Sequence, residues 1–319
     1  MVLAGLRSMK GVAAPPFSQG PYTWNQPVYF TAGVFGVSNG GKLYFVDSSK
    51  SSSGDGLSWD SPVITIAEAV ALSLAAGGVY DTIYVKGNQV DETSDYAESV
   101  TVTAAQAGLR IIGVGNSPEG VMWTVGTAEE TILTGAAKDM YISGFRFRPN
   151  GSTSGVAIEL AVTALGTIIE NCIFRSTVET AKYGIHTEST ADITIQNCVF
   201  SSLDTAIYGN AGVKTNYRNK IIGNLFDDKV DSAGIILSGR CCLIKDNYFT
   251  TDTTVLLSTY NGGAGEMNIV VGNVFPNAAY EGGALVGVSS DSWVGNFSPD
   301  TGNTDVGDNG ITLAYPHQA

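Results

Sequence analysis

Residues 169–174 read IENCIF, and residues 195–200 read IQNCVF. Nearly the same six residues written twice, one small supersecondary unit apart, call for a search for further copies. The pattern is an apolar residue, a free position, a small turn-former, two free positions and Phe. It recurs as ISGFRF (142–147), IIGNLF (221–226), IKDNYF (244–249) and VVGNVF (270–275), with a worn copy, WVGNF, at 293–297. Phe147, Phe174, Phe200, Phe226, Phe249 and Phe275 are therefore spaced by 27, 26, 26, 23 and 26 residues. Between successive copies lies a second apolar patch: GVAIEL (155–160), YGIHTE (183–188), TAIYGN (205–210), AGIILS (233–238), TVLLST (254–259) and GALVGV (283–288).

A period in the twenties built from short strands and Gly/Asn/Asp/Ser/Thr turns has few physical solutions. Leucine-rich repeats need a Leu ladder and a helical segment, and propeller blades need roughly 40 residues. A parallel β-solenoid remains, each coil laying its strands about 4.8 Å from those of the coil below. Like residues then sit on like residues. Phe174 is expected over Phe147 and under Phe200 in an internal aromatic ladder. The turn position, occupied by Gly144, Asn171, Asn197, Gly223, Asp246 and Gly272, holds only residues that tolerate left-handed backbone. Asn side chains stacked there are expected to hydrogen-bond from coil to coil. Ile173, Val199, Leu225, Tyr248 and Val274 share the position that alternates away from the Phe ladder, which predicts an exposed apolar stripe along one face.

The 319 residues are 44% hydrophobic and 15% charged, with 39 Gly, as suits a strand-rich, turn-rich chain. A net charge of −13 argues against binding nucleic-acid phosphates, which requires clustered Lys and Arg, and against an anionic membrane surface. No apolar run approaches the roughly 18 residues of a membrane span. Cys172 and Cys198 occupy one repeat position, pointing inward as reduced, small hydrophobic fillers; Cys241 and Cys242 are adjacent and have no metal-ligand spacing. No metal and no cofactor are expected. The first residues, MVLAGLRSMKGVAAPPFSQG, do not read as a signal peptide, since Arg7 and Lys10 interrupt the apolar stretch.

Residues 1–40 lack the repeat and are rich in Pro, Gly and aromatics. Phe17, Tyr22, Trp24, Tyr29, Phe30 and Phe35 can be buried only against something else: this chain's own coils, or a partner on which an extended arm docks. Residues 41–300 form the solenoid domain, and 301–319 lose the period and read as a tail or cap. Within 41–88 a strand and a Ser/Gly/Asp loop precede IAEAVALSLAA, an amphipathic helix over about 65–76. Thr65 and Glu68 form a capping box, and Gly77-Gly78 is a stop signal. Such a helix is placed to plug the open end of a solenoid.

The stretch YFVD…GDGLSWDSPVITIAEAV…DTIYV, together with the later ladders, resembles the amino-terminal entry of the pectin-lyase-like superfamily. The resemblance implies an all-β fold: a single-stranded right-handed parallel β-helix (solenoid) with an N-terminal capping helix and an extended N-terminal arm. Polysaccharide lyases, glycoside hydrolases, phage tailspikes and structural virion proteins share that fold, so activity has to be sought in residues.

A hydrolase needs two carboxylates about 5–9.5 Å apart. Asp204, Asp228 and Asp252, each just past its coil's Phe, are the best stack, with Glu159, Glu179 and Glu188 as further candidates; Asp after a strand is also ordinary turn chemistry. The lone Asp227-Asp228 pair lacks the neighbouring His and Gly of the pectin hydrolases it would resemble. Asp47, Asp55 and Asp60 share a loop that could hold Ca²⁺ but reads more simply as a solvated turn. His186 follows an inward Ile185, faces solvent and receives no role.

These features lead to a non-enzymatic structural protein of a tailed-phage virion, a capsid decoration (cement) protein or tail-associated spike. It would be assembled in the host cytoplasm, sit on the virion surface, dock through its arm on capsid or tail proteins, and pack side by side as a homo-oligomer such as a trimer. The alternative is a carbohydrate-active β-helix enzyme, a glycoside hydrolase or polysaccharide lyase such as a depolymerising tailspike, acting on host surface polysaccharide. A bacterial surface adhesin is a third class.

Overall fold

Phe174 pairs in parallel register with Phe147 on one side and Phe200 on the other. In the computed structural model, which describes residues 41–87, 96–115, 120–176, 181–209, 216–227, 230–250, 255–257, 268–275, 285–286 and 292–296, that register extends from coil to coil. Among the described residues the strands assemble into three long parallel sheets of ten, eight and seven strands, plus a two-stranded sheet pairing Asn216–Tyr217 with Gly239–Arg240. One coil shows the plan. Ile168–Glu170 enters the ten-stranded sheet, Ile173–Arg175 the seven-stranded sheet and Ala181–Thr187 the eight-stranded sheet. The next coil repeats it with Thr194–Gln196, Val199–Ser201 and Leu203–Gly209.

The turn between the first two strands of each coil needs left-handed backbone. Asn171, Asn197 and Asp246 have φ of 53°, 53° and 54°, and Gly144, Gly223 and Gly272 have 80°, 64° and 67°. This restriction explains why the position admits only Gly, Asn and Asp.

Inside, the Phe rings stack nearly parallel. Ring centroids lie 5.2 Å apart for Phe147–Phe174, 4.8 Å for Phe174–Phe200, 5.1 Å for Phe200–Phe226, 4.5 Å for Phe226–Phe249 and 4.8 Å for Phe249–Phe275. Trp123 extends the column at 5.5 Å from Phe147, and all seven side chains are fully buried. Each such contact adds about 0.5–1.5 kcal/mol beyond area burial.

The coil-to-coil amide ladder lies one residue further along than the turn position. Asn224, Asn247, Asn273 and Asn296 are buried where the earlier coils carry Cys172 and Cys198. The Nδ2 groups of Asn224, Asn247 and Asn273 donate to the Oδ1 of the next Asn at 3.0, 2.9 and 2.9 Å. The same oxygens accept the backbone N–H of the preceding Asn. Only a side chain pointing inward from the corner can reach both groups, which the outward-turned left-handed residue cannot. Cys172 and Cys198 are free and buried, and burial pushes the Cys198 thiol well up, so it stays protonated.

The helix Ile66–Ala75 has the predicted capping box, with Thr65 Oγ1 accepting from Glu68 N at 3.1 Å and Glu68 Oε2 accepting from Thr65 N at 3.2 Å. A second carboxylate, Glu98, accepts from Ile66 N at 2.8 Å and Ala67 N at 2.9 Å, tying the positive end of the helix to a neighbouring coil. Ile66, Ala69, Val70 and Ser73 are buried against the first strands of two sheets. Thr65→Ala is expected to lower unfolding free energy by about 1 kcal/mol, read from urea unfolding. Thr65→Ser, which keeps the accepting oxygen, should recover most of it.

The stripe Ile173, Val199, Leu225 and Tyr248 is in register, with Val274 bridged to Tyr248. Its members are half-buried except Tyr248, which is 50% exposed. The arm aromatics Phe17, Tyr22, Trp24, Tyr29, Phe30 and Phe35 lie outside the described residues, as does the segment 301–319. No helix among the described residues is long and apolar enough to cross a membrane.

Candidate functional site

Val156–Leu160, Ala181–Thr187, Leu203–Gly209 and Val230–Leu237 run side by side in the eight-stranded sheet. Their register superposes Ile158, Ile185, Ile207 and Ile235, all buried. The following residue of each strand turns to the outer face, which places Glu159, His186, Tyr208 and Ile236 in one row. In the strand Ala181–Thr187 both Gly184 and Ile185 are buried, so the inward-outward alternation breaks there. Gly184 faces inward, where an added Cβ would meet Phe200 and Leu203. The break brings Tyr183 to the outer face, three residues before His186.

The result is a packed polar and aromatic cluster across three coils. Tyr183 stacks on Tyr208 with centroids 4.6 Å apart and planes 13° apart. The His186 ring lies 5.3 Å from Tyr183 and 5.4 Å from Tyr208. His186 Nδ1 is 3.5 Å from Glu159 Oε1, and Thr131 Oγ1 donates to the other Glu159 oxygen at 3.4 Å. Lys182 Nζ sits 5.5 Å from the Tyr183 ring centre. Ser232 Oγ donates to Asp204 Oδ1 at the edge of the group. Burial, then the neighbouring Tyr208 and Asp204, pushes the Tyr183 phenol above its ordinary value, so it is protonated at neutral pH and can donate.

The arrangement suits acid–base chemistry more than a hydrolase's carboxylate pair. Asp204 is four residues from the Glu159 row along its strand, roughly 13 Å at strand rise, too far to pair with Glu159. Asp228, Asp252 and Glu179 lie outside the described residues, and Glu188 is exposed. Glu159 Oε1 instead faces His186 Nδ1 at 3.5 Å, which sets the carboxylate beside one ring nitrogen and leaves Nε2 on the other side of the ring. His186 does face outward as expected, but it is engaged on three sides rather than merely solvated. Glu159 and Tyr208 each follow the aligned Ile of GVAIEL and TAIYGN as His186 does in YGIHTE, so the register of the patches sets these two beside it.

The remaining candidates have local partners. Asp47 is 2% exposed, bonded through Oδ2 to Lys86 Nζ at 2.8 Å and through Oδ1 to the backbone and hydroxyl of Ser49. Asp55 Oδ1 accepts from Leu57 N at 3.0 Å, an ordinary turn bond. Among the described residues no group of three or more His, Cys, Asp or Glu converges as a metal site. A second polar chain crosses the ten-stranded sheet: Arg110 lies 4.6 Å over the Tyr141 ring, and both Tyr141 Oη and Gln196 Nε2 donate to Glu170.

No family model matches the chain, and neither does any curated protein. Among solved structures, an alginate lyase from Paenibacillus sp. str. FPU-7 is similar at TM-score 0.46 and 13% identity, over 65% of this chain and 74% of that one. A rhamnogalacturonan lyase is similar at TM-score 0.46 and 13% identity, over 74% and 68%. A pectin methylesterase in complex with a hexasaccharide is similar at TM-score 0.41 and 14% identity, over 76% and 80%. The parallel β-solenoid is read from this chain's own sheets and register. At this level of similarity its function has to be argued from its own residues.

Proposed function

We propose that the protein is a carbohydrate-active β-solenoid that cleaves an acidic polysaccharide by β-elimination on the outer face of the eight-stranded sheet. One observation carries the reading: the rings of Tyr183, His186 and Tyr208 pack within 4.6–5.4 Å of one another on that face, with Glu159 at His186 Nδ1. In such a step His186 Nε2 takes the proton α to a uronate carboxylate, and Lys182 offsets the charge that develops on that carboxylate. The C–H pair becomes the new C=C bond, the glycosidic C–O bond breaks, and a tyrosine hydroxyl, Tyr183 or Tyr208, gives the leaving oxygen its proton. No water is consumed. Solvent then returns the proton from imidazole to phenol.

Incubation of the full chain with alginate, polygalacturonate, host capsule and a neutral glucan is expected to yield unsaturated uronate ends, seen as new ultraviolet absorbance, from acidic chains only. Product from the neutral glucan, or none from any acidic chain, would reject elimination.

A second reading, a structural virion protein, rests on the apolar stripe from Ile173 to Tyr248, which a neighbouring subunit could cover. Its capsid or tail partners, virion-surface location and trimeric assembly remain part of that proposal. Copurification with assembled virions, without saccharide products, would favour it.

A further inference from the structure

A separate cleft opens at the first coils, on another sheet from the cluster above. It has a volume of ≈ 380 Å³ and is lined by Asp47, Lys50, Trp59, Lys86, Val114 and the backbone of Gly87 and Gly115. That size lies near the lower end of the roughly 300–1,000 Å³ typical of small-molecule sites.

Trp59 is 39% exposed yet firmly placed. Its ring meets Phe45 edge-on with centroids 4.9 Å apart, and Phe45 in turn stacks on Tyr84 at 5.9 Å. The loop that carries it is cross-braced by Phe45 N to Gly56 O, Gly56 N to Ser61 O and Val63 N to Phe45 O. An aromatic platform held this way loses little side-chain entropy when a ligand stacks on it. Beside it, Lys86 is anchored by Asp47 at 2.8 Å while half its side chain remains exposed. Its ammonium has three donors, and Asp47 takes one. Lys50 is exposed on the same cleft. Asp47 is already committed to Lys86 and Ser49, so the lysines leave the lining cationic in a chain of net charge −13. Such a spot concentrates anions that the rest of the surface repels.

We propose that this cleft is a second saccharide site, which binds a carboxylate-bearing sugar unit with its ring on Trp59 and its carboxylate between Lys86 and Lys50. The choice of an acidic sugar rests on the polysaccharide reading above; the stacking platform and the cations do not. A mono- or disaccharide unit fits the volume, so the site would grip one end or branch of a chain away from the elimination cluster.

The test is calorimetric titration of the full chain with di- and trigalacturonate, their methyl esters and ATP. Trigalacturonate is expected to bind, the esters about tenfold or more weaker, and ATP not to compete. Trp59→Ala should weaken binding about tenfold or more and Lys50→Ala by about three- to tenfold, while Lys245→Ala, elsewhere on the same sheet, leaves this affinity unchanged; circular dichroism checks each fold. Wild-type affinity in Trp59→Ala, equal binding of the esters, displacement by ATP, or no binding of any galacturonate would each overturn the proposal. Binding that needs Trp59 without any cleavage would keep this site and reject the elimination reading. Unsaturated product from polygalacturonate, together with trigalacturonate binding that Trp59→Ala leaves unchanged, would do the reverse.

Discussion

Asn247→Ala is expected to lower the unfolding free energy by roughly 3–5 kcal/mol, a large share of the 5–15 kcal/mol that typically holds a native domain. The residue is 1% exposed. Its Oδ1 accepts both the backbone N–H of Asn224, at 2.9 Å, and that residue's Nδ2, at 3.0 Å. Its own Nδ2 donates to Ile221 O and to Asn273 Oδ1, each at 2.9 Å. Truncation leaves two donors of Asn224 facing an apolar hole, and each orphaned buried donor costs about 1–3 kcal/mol. Asn247→Leu should be no better, because filling the space restores no acceptor. Asp246→Asn, one residue earlier, is the control: it is exposed, has φ 54°, and loses only a solvent-facing ion pair with Lys245, so its effect should stay below about 1 kcal/mol. Urea unfolding of the three variants checks this. If Asn247→Ala and Asp246→Asn behaved alike, the ladder would be decorative.

That contrast also shows what the sequence could tell. The Phe column was legible because one residue type recurs at one spacing, and the left-handed turns because only Gly, Asn and Asp tolerate them. The amide ladder was assigned one residue too early, to the turn position itself. In GN, DN and GN both neighbours are turn-formers, so composition cannot say which points inward; chain direction at the corner decides that. Cys172 and Cys198 in the equivalent inward place further masked the pattern.

The candidate site was harder to see for a different reason. Glu159, His186 and Tyr208 differ in chemistry and become neighbours only when the coils are brought into register on Ile158, Ile185 and Ile207. Tyr183 joins them because the strand breaks its alternation at Gly184, and no period-two reading foretells that. Asp204, a sequence candidate, sits at the edge of the cluster, bonded to Ser232.

His186→Ala is expected to reduce the turnover of an acidic polysaccharide by about 10²–10⁴-fold, the usual range for removing a general base. Substrate affinity should change little, since Tyr183, Tyr208 and Lys182 remain to hold the chain. The loss should therefore fall in kcat and not in KM, and added imidazole should restore part of it. Glu159→Gln tests the orientation argument. It keeps an oxygen beside Nδ1 but removes the negative charge that offsets the charge the imidazole gains during proton abstraction, so it should lower kcat by about tenfold and leave KM little changed. A merely structural role for Glu159 would lower thermal stability and leave kcat of the folded enzyme in place. Equal turnover by wild type and His186→Ala would remove the imidazole from the chemistry and return the outer face of this sheet to a binding surface.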